Sequence, residues 1–279
     1  MAAAGAGFAA DVDEDDMKPA IPNVYLDLRT TYATIPAGTL GLGFGGSSLS
    51  TALEALAALK GVSFSRGLPA AQSIAVDFPL TVDVTDRVSL YGGVSGTTSN
   101  LGGSGWSSFD ITSWNIGFQA DLHQQNGGVI PTITLQSTLT QSVPNEPGMT
   151  TSFNHILEFD YALDADETRG LLAGVQYTHT DIGSQVAHIG TNTIGYVGGY
   201  YQWPSNWKFT GRLGVQSFAG AQLLNLAQVQ SFTQPIVRLD LDRMDDNDNR
   251  LFGITAQIAW TPKPSYQVTL RTPLYAVRN

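Results

Sequence analysis

Between Ile74 and Val84 every second residue is apolar: Ile74, Val76, Phe78, Leu80, Val82 and Val84. The positions between them hold Ala75, Asp77, Pro79, Thr81 and Asp83. A period of two belongs to an extended strand with one oily face and one polar face. The same alternation, bounded by turn residues, recurs along most of the chain and predicts twelve strands. They fall near residues 23–32, 73–85, 88–97, 112–123, 129–141, 153–163, 169–180, 187–203, 207–218, 233–243, 251–260 and 266–274.

Most links between these strands fall into two lengths, and the two near residues 181–186 and 262–265 are short to medium. Residues 85–87, 124–128, 164–168, 204–206 and 244–249 form short links rich in Asp, Asn, Gly and Pro, the residues that set turn dihedrals. Residues 33–72, 98–111, 142–152 and 219–232 form long ones. Short and long largely alternate, which places tight turns on one rim of an up-and-down barrel and long loops on the other. A Greek-key sandwich has no reason to sort its links this way. One stretch departs from the strand pattern. Thr51–Lys60 is rich in Ala and Leu, has Thr51 and Glu54 at capping-box spacing, and is followed by Gly61 as a stop. It predicts one short helix in the first long loop, either as a surface cap or as a constriction folded into the mouth. Met1–Ala20 reads as a flexible leader, with small residues like the tail of a signal peptide and then an acidic run, Asp11–Asp16. The barrel itself is assigned to residues 21–279.

Composition decides which face points outward. Only 14% of residues are charged, against about 25% in a usual soluble domain, and lysine is scarce. The apolar faces carry almost no Lys or Glu over the ~9–11 positions a tilted strand needs to cross a bilayer. Aromatic residues Tyr200, Tyr201, Trp203, Trp207, Trp260 and Tyr266 sit near strand ends, where an interfacial girdle is expected. The expected fold is therefore all-β: a single antiparallel transmembrane barrel of about twelve strands, oily outside and polar inside. Its polar-phase charges, Arg29, Asp77, Asp83, Asp121, Glu158, Asp160, Lys208, Arg212, Arg238 and Arg271, are the candidate lumenal and selectivity residues. Closing the barrel places the basic strands on one wall and the acidic ones opposite, which sets up a transverse field.

Amphipathic strands, sorted links, aromatic strand ends, an acidic balance and no cysteine together resemble the bacterial outer-membrane β-barrels of porin type, over roughly Asn23 to Tyr275. The resemblance implies an outer-membrane location and passive diffusion of small polar solutes. It implies no enzymatic activity. Outer-membrane lipid and small polar solutes are the partners it points to, with no cofactor and no metal, and it sets no oligomeric state. One departure is the C-terminus: such chains usually close on an aromatic residue, whereas Tyr275 here is followed by Ala276, Val277, Arg278 and Asn279.

Other function classes are less well supported. A net charge of −10 disfavours nucleic acid. No apolar run is long enough for a transmembrane helix, which does not bear on strands. The four histidines, His123, His155, His179 and His188, are scattered, and no hydrolase, zinc-protease or phosphate-loop motif is present. Ser152, Asn154 and His155 can be drawn as an outer-membrane lipid hydrolase. A non-conducting structural or adhesive barrel and a soluble ligand-binding barrel are further alternatives. Asp242–Arg250 lacks the glycine and terminal Glu of a calcium loop, and Gly41–Gly46 reads as a flexible loop.

Overall fold

Alternating chains bury one face only if the sheet closes or packs on something, and here it closes. The computed structural model describes residues 23–37, 43–44, 69–143, 149–183, 187–223, 227–246, 250–260 and 263–277. The strands are β1 (Asn23–Ile35), β2 (Ala71–Asp83), β3 (Val88–Leu101), β4 (Asp110–His123), β5 (Thr132–Ser142), β6 (Thr150–Ala162), β7 (Arg169–Ile182), β8 (Ala187–Ile189), β9 (Asn192–Gln202), β10 (Trp207–Phe218), β11 (Ala221–Leu223), β12 (Ala227–Val229), β13 (Phe232–Met244), β14 (Arg250–Ala259) and β15 (Ser265–Val277). Twelve of them form a closed barrel in the order β1-β15-β14-β13-β10-β9-β7-β6-β5-β4-β3-β2. Every neighbouring pair is antiparallel, and β1 pairs with β15 to close the ring.

Two expectations change. The strand expected at 187–203 is broken into β8 and β9, and the long link at 219–232 contains β11 and β12. These three short strands pair in the order β12-β11-β8 as a separate sheet at the long-loop rim. The expected helix Thr51–Lys60 and the leader Met1–Ala20 lie outside the described residues.

The faces follow the alternation. Phe78, Leu80, Leu90, Val94, Ile116, Phe118, Leu171, Val197, Leu213, Val215, Leu239 and Leu270 are exposed on the outer surface. Buried polar side chains include Gln176, Thr178, Asn192, Gln216, Gln234, Asp240 and Thr255. This inversion, oily outside and polar inside, is the solution for a barrel whose solvent is hydrocarbon. The inner amides satisfy one another: Gln234 Nε2 donates to Gln216 Oε1 at 2.6 Å, and Gln216 Nε2 to Asn192 Oδ1 at 2.8 Å.

Glycine makes room for inward rings at two places on β7. A Cβ on Gly174 would come within 2.5 Å of the Tyr196 ring, and one on Gly170 within 2.4 Å of the Tyr200 ring. Each tyrosine thus lies across the bare backbone of the next strand.

Pro79 sits inside β2, where its missing N–H needs an explanation. The β1–β2 ladder pairs Leu26 with Leu80 and Arg29 with Asp77, with no pair at the positions between. On its other side β1 shifts register against β15 between Leu26 and Asp27, and Asp27 pairs with Pro273. Two prolines that cannot donate therefore flank β1 at one level, and the strand accommodates them with an irregularity.

The long-loop rim is closed over part of its width. Ile35, Ala71, Ile189, Phe218, Ala221 and Val229 form one buried apolar cluster, with Leu101, Ile182 and Phe232 packed on it. It joins β1–β3 to β7, β10 and β13 of the far wall through the small sheet.

Candidate functional site: the lumen

The barrel interior holds a cavity of about 600 Å3. Its lining runs from Tyr25, Asp83, Ser89, Met244 and Pro273 at the short-turn rim to Phe44, Gln257 and Gln267 toward the long-loop rim. Along β3–β5 the lining is neutral and hydrogen-bonding: Tyr91, Asn115, Gln119, Gln136 and Thr138. Along β13–β15 and β1 it carries four guanidiniums, Arg238, Arg250, Arg271 and Arg29, set among threonines, glutamines and Asp27.

The candidate charges assemble as two unequal sets. Arg29, Arg271, Arg238, Arg212 and Lys208 lie on β1, β15, β13 and β10, within the run β1-β15-β14-β13-β10, while Asp77, Asp83, Asp121, Glu158 and Asp160 lie on β2, β4 and β6. Asp77 and Asp83 line the cavity from β2, the strand next to β1, with Asp77 in register with Arg29, so these carboxylates stand beside the arginines and not on an opposite wall. Asp121 accepts from Thr134 at 2.8 Å. Lys208 lies over the Tyr200 ring, 4.5 Å from its centroid. Among the described residues, Arg29 pairs with Asp27 at 4.0 Å and has Asp77 in register on β2.

The remaining charges interlock. Asp240, only 3% exposed, accepts from Arg212, Arg238 and Arg271 and from the Thr255 hydroxyl. Arg212 also bonds Glu158 at 3.2 Å, and Glu158 accepts from the Tyr196 hydroxyl at 2.7 Å. Arg250 Nε lies 2.8 Å from Asp242. Arg250 is absent from the charges singled out by the alternation because it stands at the first residue of β14, outside the expected strand. This network fills the β6–β10 side of the lumen and borders the cavity at Arg238, Arg250, Thr255 and Arg271, so the cavity lies between β13–β15 and β1–β5.

The first long link enters the barrel. Phe44 is buried against Ile194, Tyr196, Ile236 and Ala259, and it lines the cavity. Nothing in the glycine-rich sequence around it marked this position, because its partners are more than 100 residues away.

The residues expected as an aromatic girdle divide between the two faces of the wall. Tyr201, Trp203, Trp260 and Tyr266 are exposed at strand ends, and Trp207 packs edge-on against Phe252. Tyr200 is a correction: it is 8% exposed and points into the barrel. In the run Gly199–Trp203 adjacent residues face opposite ways, so Tyr200 and Tyr201 cannot both meet lipid. The hydrolase arrangement is likewise divided between faces. Asn154 is buried and accepts from Thr178, and Ser152 accepts from Thr180, whereas His155 is exposed and bonds Ser137 at 2.9 Å.

No protein-family model and no curated protein matches the sequence. Among solved structures, an outer membrane channel from Pseudomonas putida F1 superposes with a TM-score of 0.54 at 11% identity, over 95% of this chain and 100% of that one. The transport unit of the autotransporter AIDA-I from Escherichia coli gives 0.52 at 10% identity, over 95% of this chain and 92% of that one. At such identity the likeness is one of fold. The chain has the fold of a bacterial outer-membrane β-barrel, closed by twelve antiparallel strands.

Proposed function

We propose that the protein is a channel of a bacterial outer membrane that lets small polar solutes diffuse passively through a charged lumen. The observation that carries this reading is the cavity of about 600 Å3, lined by amides and hydroxyls along β3–β5 and by four arginines along β13–β15 and β1, with Asp77 and Asp83 beside them on β2. A polar path inside a hydrocarbon-facing wall has no role in holding the barrel in lipid, so it is best explained by passage. Its mix of guanidiniums, carboxylates and neutral hydrogen-bonding groups favours small polar solutes that can exchange water contacts for contacts with the wall. Single-channel recording in planar bilayers tests the reading; steady conductance is expected. Silence from protein that shows heat-modifiable gel mobility, and so is folded, sinks it.

The apolar cluster across the long-loop rim favours a second reading, a non-conducting structural barrel whose interior is mostly filled by ion pairs. That barrel is folded and silent in the same recording.

A further inference from the structure

Most of the lumen wall is hydroxyls, amides and charges, but one spot in it is apolar. Ile194 and Ile236 there are completely buried and Ala259 nearly so. Tyr196 forms one side, its hydroxyl held by Glu158. The group that fills the spot comes from the chain itself. The Phe44 ring meets the Tyr196 ring edge-on, with centroids 5.3 Å apart and planes at 83°, a favourable geometry for an aromatic pair. The Phe44 N–H donates to Gln257 Oε1 at 3.0 Å. A Cβ on Gly43 would collide with the end of the Gln257 side chain, so a larger residue there would displace the amide that accepts from Phe44. The pocket therefore reads two features at once: a ring, and a hydrogen-bond donor separated from it by two carbons, as in the ring–Cβ–Cα–N sequence of phenylalanine. Phe44 and Gln257 both line the cavity, so the pocket opens onto the lumen.

We propose that this pocket is a lumenal binding subsite for small arylalkyl solutes carrying a hydrogen-bond donor, and that Phe44 occupies it as the chain's own stand-in. A solute of this class replaces both contacts of Phe44: its ring takes the place against Tyr196, and its donor takes Gln257 Oε1. The inference rests on the channel reading above. A Phe44 that merely anchors the first link makes the same contacts but implies no selectivity for an aromatic ligand.

The test uses 2-phenylethanol, whose ring, two carbons and hydroxyl repeat the Phe44 geometry, and 2-cyclohexylethanol, which has the same length and hydroxyl but no π face. Wild type and Phe44→Ala are recorded in planar bilayers. Phe44→Ala is expected to conduct more than wild type. 2-Phenylethanol is expected to lower that conductance saturably toward the wild-type value, and 2-cyclohexylethanol to act more weakly. Equal action by both alcohols, or none by either, overturns the subsite. Silence from both folded proteins overturns the channel reading instead. The subsite is then judged by saturation-transfer NMR on detergent-solubilised Phe44→Ala, where transfer to 2-phenylethanol no greater than to its cyclohexyl analogue overturns it. If Phe44→Ala does not fold, Phe44→Val is recorded in its place and the same order of the two alcohols is required.

Discussion

Arg212 on β10 bonds Glu158 on β6 at 3.2 Å, although β7 and β9 lie between them in the wall. Three strand spacings along a sheet measure ~14 Å, a distance two side chains span only because the wall curves inward around them. Tyr196, from the intervening β9, donates to the same carboxylate, and Arg212 goes on to Asp240 on β13. The arrangement ties neighbouring strands together from the inside. Glu158→Gln keeps the shape but removes the charge that holds Arg212 and the Tyr196 hydroxyl. Hydrogen bonds to a charged group contribute about 1.5–3 kcal/mol each when lost from one side, so a loss of about 1–3 kcal/mol is expected after partial compensation by Asp240. Urea titration of protein folded into lipid vesicles, followed by tryptophan fluorescence, measures it. An unchanged midpoint would show that the contact contributes nothing to stability.

Asp240 is the single carboxylate on which Arg212, Arg238 and Arg271 converge. Asp240→Asn leaves three guanidiniums facing one another around a neutral amide. Two consequences follow: the barrel loses stability through like-charge repulsion, and the lumen gains one unit of positive charge. The reversal potential under a salt gradient should move toward anion selectivity. Arg238→Glu, at a residue lining the open cavity, should move it the opposite way, toward cations. If neither substitution moves the potential, solute does not pass along the β13–β15 wall.

Gly174 tests the seating of Tyr196. A Cβ there would approach the Tyr196 hydroxyl to 2.5 Å and the Leu157 carbonyl to 2.9 Å. The tyrosine can swing away, but the carbonyl belongs to the neighbouring strand and cannot. Overpacking of this kind costs about 1–3 kcal/mol, so Gly174→Ala should lower the urea midpoint measurably. It should also disturb the pocket that receives Phe44. Gly195→Ala, with open space around the new methyl, is the control and should leave the midpoint nearly unchanged.

The barrel was legible in the sequence because its signal is local and repeated. Each strand advertises its own lipid face, so Ile74 to Val84 could be assigned without knowing what it pairs with. The small sheet was not legible, since β8, β11 and β12 have three residues each, too few for an alternation to show. Tyr200 was misplaced because clustering with Tyr201 and Trp203 suggested a girdle while the period of two, applied residue by residue, sends it inward. Phe44 and the Arg212–Glu158 bond were out of reach for a different reason. Both depend on the stagger and curvature of the closed barrel, which bring distant positions together and leave no mark on the sequence nearby. Pro79 sits inside β2 without a ladder donor. Its resolution needed the partner strands, where the break in the β1–β2 ladder and the opposing Pro273 explain it.

Leu213 separates a membrane barrel from a soluble one. It is 58% exposed on β10 and forms a continuous outward row with Ala173, Val197 and Val237 on the neighbouring strands. In water, an exposed Leu→Arg change is close to neutral. Facing hydrocarbon near the bilayer midplane, an arginine costs about 2–4 kcal/mol. Leu213→Arg should therefore lower the stability of the vesicle-folded protein by that amount in the urea titration. Thr138→Arg, at a position lining the lumenal cavity, should cost little stability and instead reduce conductance by narrowing and charging the path. The two substitutions introduce the same side chain on opposite faces of one wall, so the comparison cancels the intrinsic effect of arginine. A soluble barrel predicts the reverse order, with the inward arginine more damaging than the outward one, and that result would remove the basis for reading the exposed leucines as lipid-facing.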